Sequence, residues 1–178
     1  MVEKRVRICG VEFALGDREE AKWPLNRLNY FVENNMPGVV RDVFRREIAQ
    51  ALASWSAVAD LTFTKVQSAA GAHIILRAWR LDGPGRVLAQ SELPPSNPCH
   101  QDYDFENWST DAIPGQGEIE LQNVVAHEIG HALGLLHDDQ QADALMAPYY
   151  SPGVTGPKAR DIARIQGLYG PPRTPPTP

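Results

Sequence analysis

Between positions 40 and 55 the apolar residues recur at intervals of three and four: Val40, Val43, Phe44, Ile48, Leu52 and Trp55. That spacing lines one side of an α-helix and predicts a helix with a single buried face, ending near Trp55. The flanking stretches carry a shorter period. Residues 28–32 (Leu-Asn-Tyr-Phe-Val) alternate, with Pro37-Gly38 turning into the helix, while 61–66 and 73–78 are β-rich runs separated by Ser68-Ala69-Ala70-Gly71. These runs predict sheet strands, and 86–91, just after the turn Asp82-Gly83-Pro84-Gly85, predicts one more. From Pro94 through Trp108 to Gly117 no period is visible, so a long irregular surface connection is expected. A helix starting near Glu120 and a short amphipathic helix over 159–168 follow, with Met146 and Pro148 in a tight loop between them. Strands and a helix first, then two later helices, predict a mixed α+β domain whose site lies between an upper sheet part and a smaller lower part.

Composition narrows the picture only a little. A chain of 178 residues suits one domain with a sizeable core. Its net charge of -5, with mixed signs, gives no basic face for nucleic acid, and no apolar run approaches the length of a membrane span. Neither partner is expected. Residues 2–5 (Val-Glu-Lys-Arg) lead into a polar stretch with no apolar signal core, so the chain is expected either to stay inside the cell or to be a trimmed piece. Cys9 and Cys99 are too few for a disulfide scaffold, although one bridge between them is an open alternative. The proline-rich end, 170–178, is expected to be extended, as a spacer to a further segment or as a native terminus.

The chemistry concentrates in His127-Glu128-Ile129-Gly130-His131-Ala132-Leu133-Gly134-Leu135-Leu136-His137. On a helix His127 and His131 project from one face and can meet a single zinc ion. Gly134 can take the positive φ that ends a helix, which returns His137 as a third ligand. Three neutral imidazoles leave the ion its full charge and one open position, where a bound water would have its pKa lowered to about 7. Glu128 is not needed as a ligand and is placed to act as general base and proton shuttle.

Together with Ala144-Leu145-Met146-Ala147-Pro148-Tyr149-Tyr150 and the closing run from Asp161 to Gly170, this motif resembles the matrixin (matrix metalloproteinase) branch of the metzincins. Lys22-Trp23 with Leu28-Asn29-Tyr30, and Ala51-Leu52-Ala53-Ser54-Trp55 with Leu61-Thr62-Phe63, extend the resemblance from Trp23 to Gly170. It implies a twisted, mostly parallel sheet, a long first helix, a zinc-binding helix, a Met-turn and a C-terminal helix. The catalytic domain would span 22–170, with an N-terminal segment 1–21 and a tail 171–178. The implied activity is zinc-dependent hydrolysis of extended protein or peptide substrates, before a hydrophobic residue, by a secreted monomer. Met146 would be the Met-turn residue, Leu88 and Ala89 part of the edge strand that holds substrate, Pro148 and Tyr150 the wall of the specificity pocket, and Asn123 the residue that sets its depth. The competing class is an inert zinc- or peptide-binding module, which the presence of Glu128 disfavours.

The chain also departs from that family. Matrixins carry a second, structural zinc held by three histidines and an aspartate, but Gln90 stands where one histidine is expected, so that site should be absent. His73 and His100, the other histidines, are read as a sheet residue and a loop residue. Asp82, Asp104 and Glu106 match carboxylates of a family calcium site in type, with the last spacing shortened by one; bound calcium and a solvated acidic loop both remain open. Asp138 follows His137 where matrixins generally have serine or threonine and adamalysin-type metzincins have aspartate. Finally, Arg7-Ile8-Cys9-Gly10-Val11 looks like a degraded copy of the propeptide motif whose cysteine ligates the zinc and holds matrixins latent, with Glu12-Phe13 in place of Pro-Asp. A cysteine in an N-terminal strand and a Cys9–Cys99 disulfide are the rival readings.

Overall fold

In the computed structural model residues 6–10, 19–111 and 113–173 are described; the charged start 1–5, the Glu12-Phe13 pair and the tail end 174–178 lie outside the described residues. The elements in chain order are β1 (Arg7–Cys9), β2 (Arg27–Val32), α1 (Arg41–Ser56), β3 (Thr62–Lys65), β4 (Ile74–Ala78), β5 (Val87–Ser91), β6 (Cys99–Tyr103), β7 (Trp108–Ser109), β8 (Ile119–Glu120), α2 (Leu121–Ala132) and α3 (Ala159–Tyr169). Six strands form one sheet in the order β1-β5-β6-β4-β2-β3. Every pairing is parallel except β5 with β6. This is the mixed α+β architecture the hydrophobic pattern predicts, and its sheet is mostly parallel, as the matrixin resemblance implies.

The periodic face of α1 is its buried face: Phe44, Ile48, Leu52 and Trp55 are all in the core. Opposite them α2 contributes Leu121, Val124, Val125 and Ile129, and the sheet contributes Ile74, Leu76, Leu88 and Tyr103. Each such side chain removed from water is worth roughly 1.5–3 kcal/mol. Val40 is the exception to the sequence pattern. It precedes the first helical residue with extended dihedrals and is 70% exposed, because the helix begins only at Arg41.

The expected irregular connection after Pro94 is corrected by β6. Cys99–Tyr103 lies inside the sheet, parallel to β4 (Ile74↔Cys99 through Ala78↔Tyr103) and antiparallel to β5 (Ala89↔Tyr103, Gln90↔Asp102). Its sequence, Cys-His-Gln-Asp-Tyr, hides this because burial there is accommodated by polar pairing. Tyr103 donates its hydroxyl to Gln101 Oε1 at 2.9 Å, and Asp102 accepts from Arg77 and Gln90. Two further short strands, β7 and β8, pair with each other in the same region.

Candidate metal centre

α2 carries His127, Glu128 and His131, all fully buried beneath the sheet. The helix ends in a Schellman arrangement: Leu135 N donates to Gly130 O at 3.0 Å and Gly134 N to His131 O at 2.8 Å. Gly134 has φ +104°, and a Cβ there would collide with the backbone oxygen of Ala21, so both conformation and space require glycine. The turn brings His137 back to the helix, its ring centroid 4.8 Å from that of His131.

The imidazoles are oriented from behind. His127 Nδ1 lies 2.7 Å from Leu145 O and His131 Nδ1 2.7 Å from Leu135 O, so each Nδ1–H donates to a carbonyl and each Nε2 keeps its lone pair. Those two Nε2 atoms are 3.0 Å apart, and the Nε2 of His137 is buried with no hydrogen-bond partner. Buried lone pairs turned toward one another ask for a cation between them. Desolvation holds all three rings neutral, lowering His127 to about 3, His137 to about 4 and His131 well below its ordinary value. Neutral imidazoles are the form that binds zinc.

The fourth donor comes from the N-terminal strand. Cys9 Sγ and one nitrogen from each of the three histidines lie within 4.8 Å of one another, a buried set whose soft and borderline atoms suit zinc. Neither Cys9 nor Cys99 is in a disulfide, which removes the Cys9–Cys99 bridge from the open readings. The same Sγ contacts Glu128 Oε2 at 3.4 Å, while Glu128 Oε1 is buried without a hydrogen-bond partner. Burial pushes the Glu128 carboxyl well above the usual carboxylate range, opposed in part by the Cys9 contact.

Below the histidines, Met146 is fully buried, and a Cβ on Gly130 would run into its Sδ, so the absence of a side chain at Gly130 lets the Met-turn lie against the helix. Asp161 of α3 fixes that turn, accepting from Leu145 N at 2.9 Å and Met146 N at 3.2 Å. Asp161 entered the sequence reading only as the start of the closing run; its hold on the 145–146 turn had no local signature, because those partners lie on another segment. Trp55 and Trp23 cap the helix from either side, donating their indole N–H groups to Ala126 O and Ala132 O. Asp138 is explained by α3: its buried carboxylate pairs with Arg160 and Arg164, and Arg164 also pairs with Glu20.

β1 occupies the cleft in front of the metal donors. On one side it pairs with the edge of β5, Cys9 opposite Ala89, and Gly10 N donates to Ala89 O at 2.9 Å. On the other, Ile8 N donates to Pro148 O at 3.2 Å and Tyr150 N to Val6 O at 3.0 Å. Leu88 faces inward instead, its carbonyl accepting from Asp104 N at 3.0 Å. Asn123 is buried and donates to Ser151 O at 2.7 Å, and Tyr150 accepts Glu120 N on its hydroxyl at 2.9 Å.

The carboxylates considered for calcium are spent on the 82–87 loop. Asp104 Oδ2 accepts from Asp82 N and Gly83 N, Glu106 accepts from Gly85 N, and Asp82 accepts from Val87 N. Among the described residues they form no convergent cluster of the kind Cys9 and the three histidines make. His73 sits beside β4, its Nδ1 accepting from Asn29 N, and His100 lies in β6 rather than in a loop.

Fold, oriented histidines and adjoining carboxylate are those of a metzincin-type domain. The matrixin family profile matches residues 22–170. The chain belongs to the matrixin family. Matrix metalloproteinase-C of Caenorhabditis elegans is 34% identical over 185 residues, covering 91% of this chain and 32% of its own length. Matrix metalloproteinase-19 of Homo sapiens is 36% identical over 159 residues (84% of this chain, 30% of the relative), and interstitial collagenase of Sus scrofa 36% over 183 residues (94% and 37%). The chain thus spans about a third of the length of these relatives. No helix of the described residues is long and apolar enough to cross a membrane.

Proposed function

We propose that this protein is a zinc-dependent endopeptidase for extended protein or peptide substrates, held latent by Cys9. The observation that carries the reading is the buried four-donor set of Cys9, His127, His131 and His137 with Glu128 in contact with the thiol. Zinc, when bound there, supplies a Lewis acid that polarises a carbonyl and acidifies water. Glu128, adjoining the metal donors without being one of them, would take the proton of the attacking water and pass it to the leaving amine. Cys9 blocks this twice, by filling the fourth donor position and by taking Glu128 as its partner.

A peptide would lie where β1 now lies, as an added strand between β5 and the 148–150 segment. Ala89 O and Pro148 O are the acceptors it would use. Leu88 stiffens that edge from within, Pro148 and Tyr150 wall the pocket for the residue after the cut, and Asn123 closes its far end by holding Ser151. A hydrophobic residue fits such a wall. In this reading residues 1–21 act as a propeptide remnant and 22–170 as the catalytic domain, and the protein works outside the cell as a monomer, a setting that resemblance to secreted matrixins supports.

The zinc-loaded Cys9→Ala chain, incubated with a quenched peptide library, is expected to cleave before hydrophobic residues, to stop on chelation and to resume with added zinc. A zinc-loaded Cys9→Ala chain that cleaves nothing would leave an inert metal-binding module.

A further inference from the structure

We propose that the guanidinium of Arg77 stands where a second metal ion would be needed, so that this matrixin is a one-zinc protein whose β4–β6–β5 layer is tied by an ion-pair network. This concerns a site apart from the metal centre and does not depend on the protein's being active. Asp102, in the middle strand β6, is only 6% exposed. Its Oδ1 accepts from Arg77 Nε on β4 at 2.6 Å, and its Oδ2 accepts from Gln90 Nε2 on β5 at 3.0 Å. One carboxylate thus links both neighbouring strands, as a tetrahedral ion would.

The cation in this arrangement is covalent. Arg77 Nη1 also lies 3.8 Å from Glu33 Oε2, and its guanidinium stacks on the Trp79 ring with Cζ 4.8 Å from the centroid. Hydrogen bonding to Asp102 holds the Arg77 pKa above its ordinary value. A polar cavity of about 270 Å³ beside the network is lined by Gly10, Arg77, Gln90, Glu92, His100 and Asp102. It does not fit zinc. Both oxygens of Asp102 are engaged, His100 Nδ1 is paired with Glu92 Oε2 at 3.0 Å, and an incoming divalent ion would face the guanidinium charge. Gln90 supplies an amide where a metal would want imidazole, and a neutral amide is a weak zinc ligand.

The consequence reaches the cleft, because Gln90 follows Ala89, whose carbonyl receives Gly10 N. The strand that borders the metal centre is braced without a second ion, and chelation of the catalytic zinc leaves that brace in place.

Two measurements on the full chain test this. After equilibration with excess zinc and gel filtration, elemental analysis is expected to give about one zinc per chain for the wild type and essentially none for His127→Ala/His131→Ala. Zinc retained by the double-histidine variant would overturn the proposal. A wild type that takes up no zinc would sink the reading of the metal centre instead, and leave this proposal to the second measurement. Arg77→Met and Asp102→Asn are each expected to lower the thermal midpoint by about 5 °C or more, and the double variant by no more than the worse single one. Additive losses, or no loss from either, would show that the pair does not brace the sheet.

Discussion

Cys9 Sγ sits 3.4 Å from Glu128 Oε2 while lying within 4.8 Å of one nitrogen from each of three imidazoles. One side chain from an N-terminal strand therefore touches both parts of the catalytic apparatus, the metal donors and the proton acceptor. The strand is held there by main-chain pairing to β5 and to Pro148, not by Cys9 alone. The proposed latency would thus rest on β1 as a whole, with Cys9 as its chemical tip.

In the Cys9→Ala background, Glu128→Gln is expected to lower kcat by about 10²–10⁴-fold, the usual contribution of a positioned general base. Zinc content should be unchanged, because the carboxylate is not among the convergent donors. Steady-state kinetics with elemental analysis checks both halves; a loss under about tenfold would remove Glu128 from the proton transfer.

Burial lowers His127 to about 3 and His137 to about 4, while in the unfolded chain these rings protonate near 6.5. Between those values the unfolded chain binds more protons than the folded one, so stability is fully present above about 6.5 and drains away as pH falls toward about 4. The thermal midpoint of the metal-stripped chain should therefore decline across that window, and zinc should shift the decline to lower pH by competing with protons. A flat profile in the metal-stripped chain would contradict the buried, neutral state of the rings.

Gly130 and Gly134 differ in what an added methyl would meet. At Gly130 it meets the Met146 sulfur, with Trp55 Cζ2 at 3.0 Å, so Gly130→Ala should cost about 1–3 kcal/mol as Met146 shifts. Gly134→Ala meets the backbone of Ala21 and a φ of +104°, neither of which can yield, and should cost about 3 kcal/mol or more. Denaturant unfolding of the two variants should rank them in that order; the reverse ranking would mean that the helix end is not held as described.

The metal helix, α1 and the strands β2 to β5 were legible because each displays its burial in its own residues: a three-four spacing in α1, β-rich runs in the strands, and a histidine spacing that only a helix and a glycine turn can bring together. β6 was not legible, since Asp102 is buried by partners on β4 and β5, Gln101 takes the hydroxyl of Tyr103 on its own strand, and no local pattern records such a partner. Asp161 and Asp138 escaped a role for the same reason, being anchored between segments far apart in sequence. Cys9 was legible as a candidate only through a degraded motif; the spatial convergence with His127, His131 and His137 is what separates it from Cys99, a buried thiol that donates to Ser96 O and has its pKa pushed up to about 12 by desolvation.

The most direct measurement compares the rate of cleavage of one quenched peptide by the intact chain and by Cys9→Ala at equal zinc occupancy. The account predicts a near-silent intact chain and a variant at least about tenfold faster, as expected when a thiolate ligand and a blocked base are released together. Equal rates in the two proteins would contradict it, because β1 would then be a passenger in the cleft and Cys9 no part of its control.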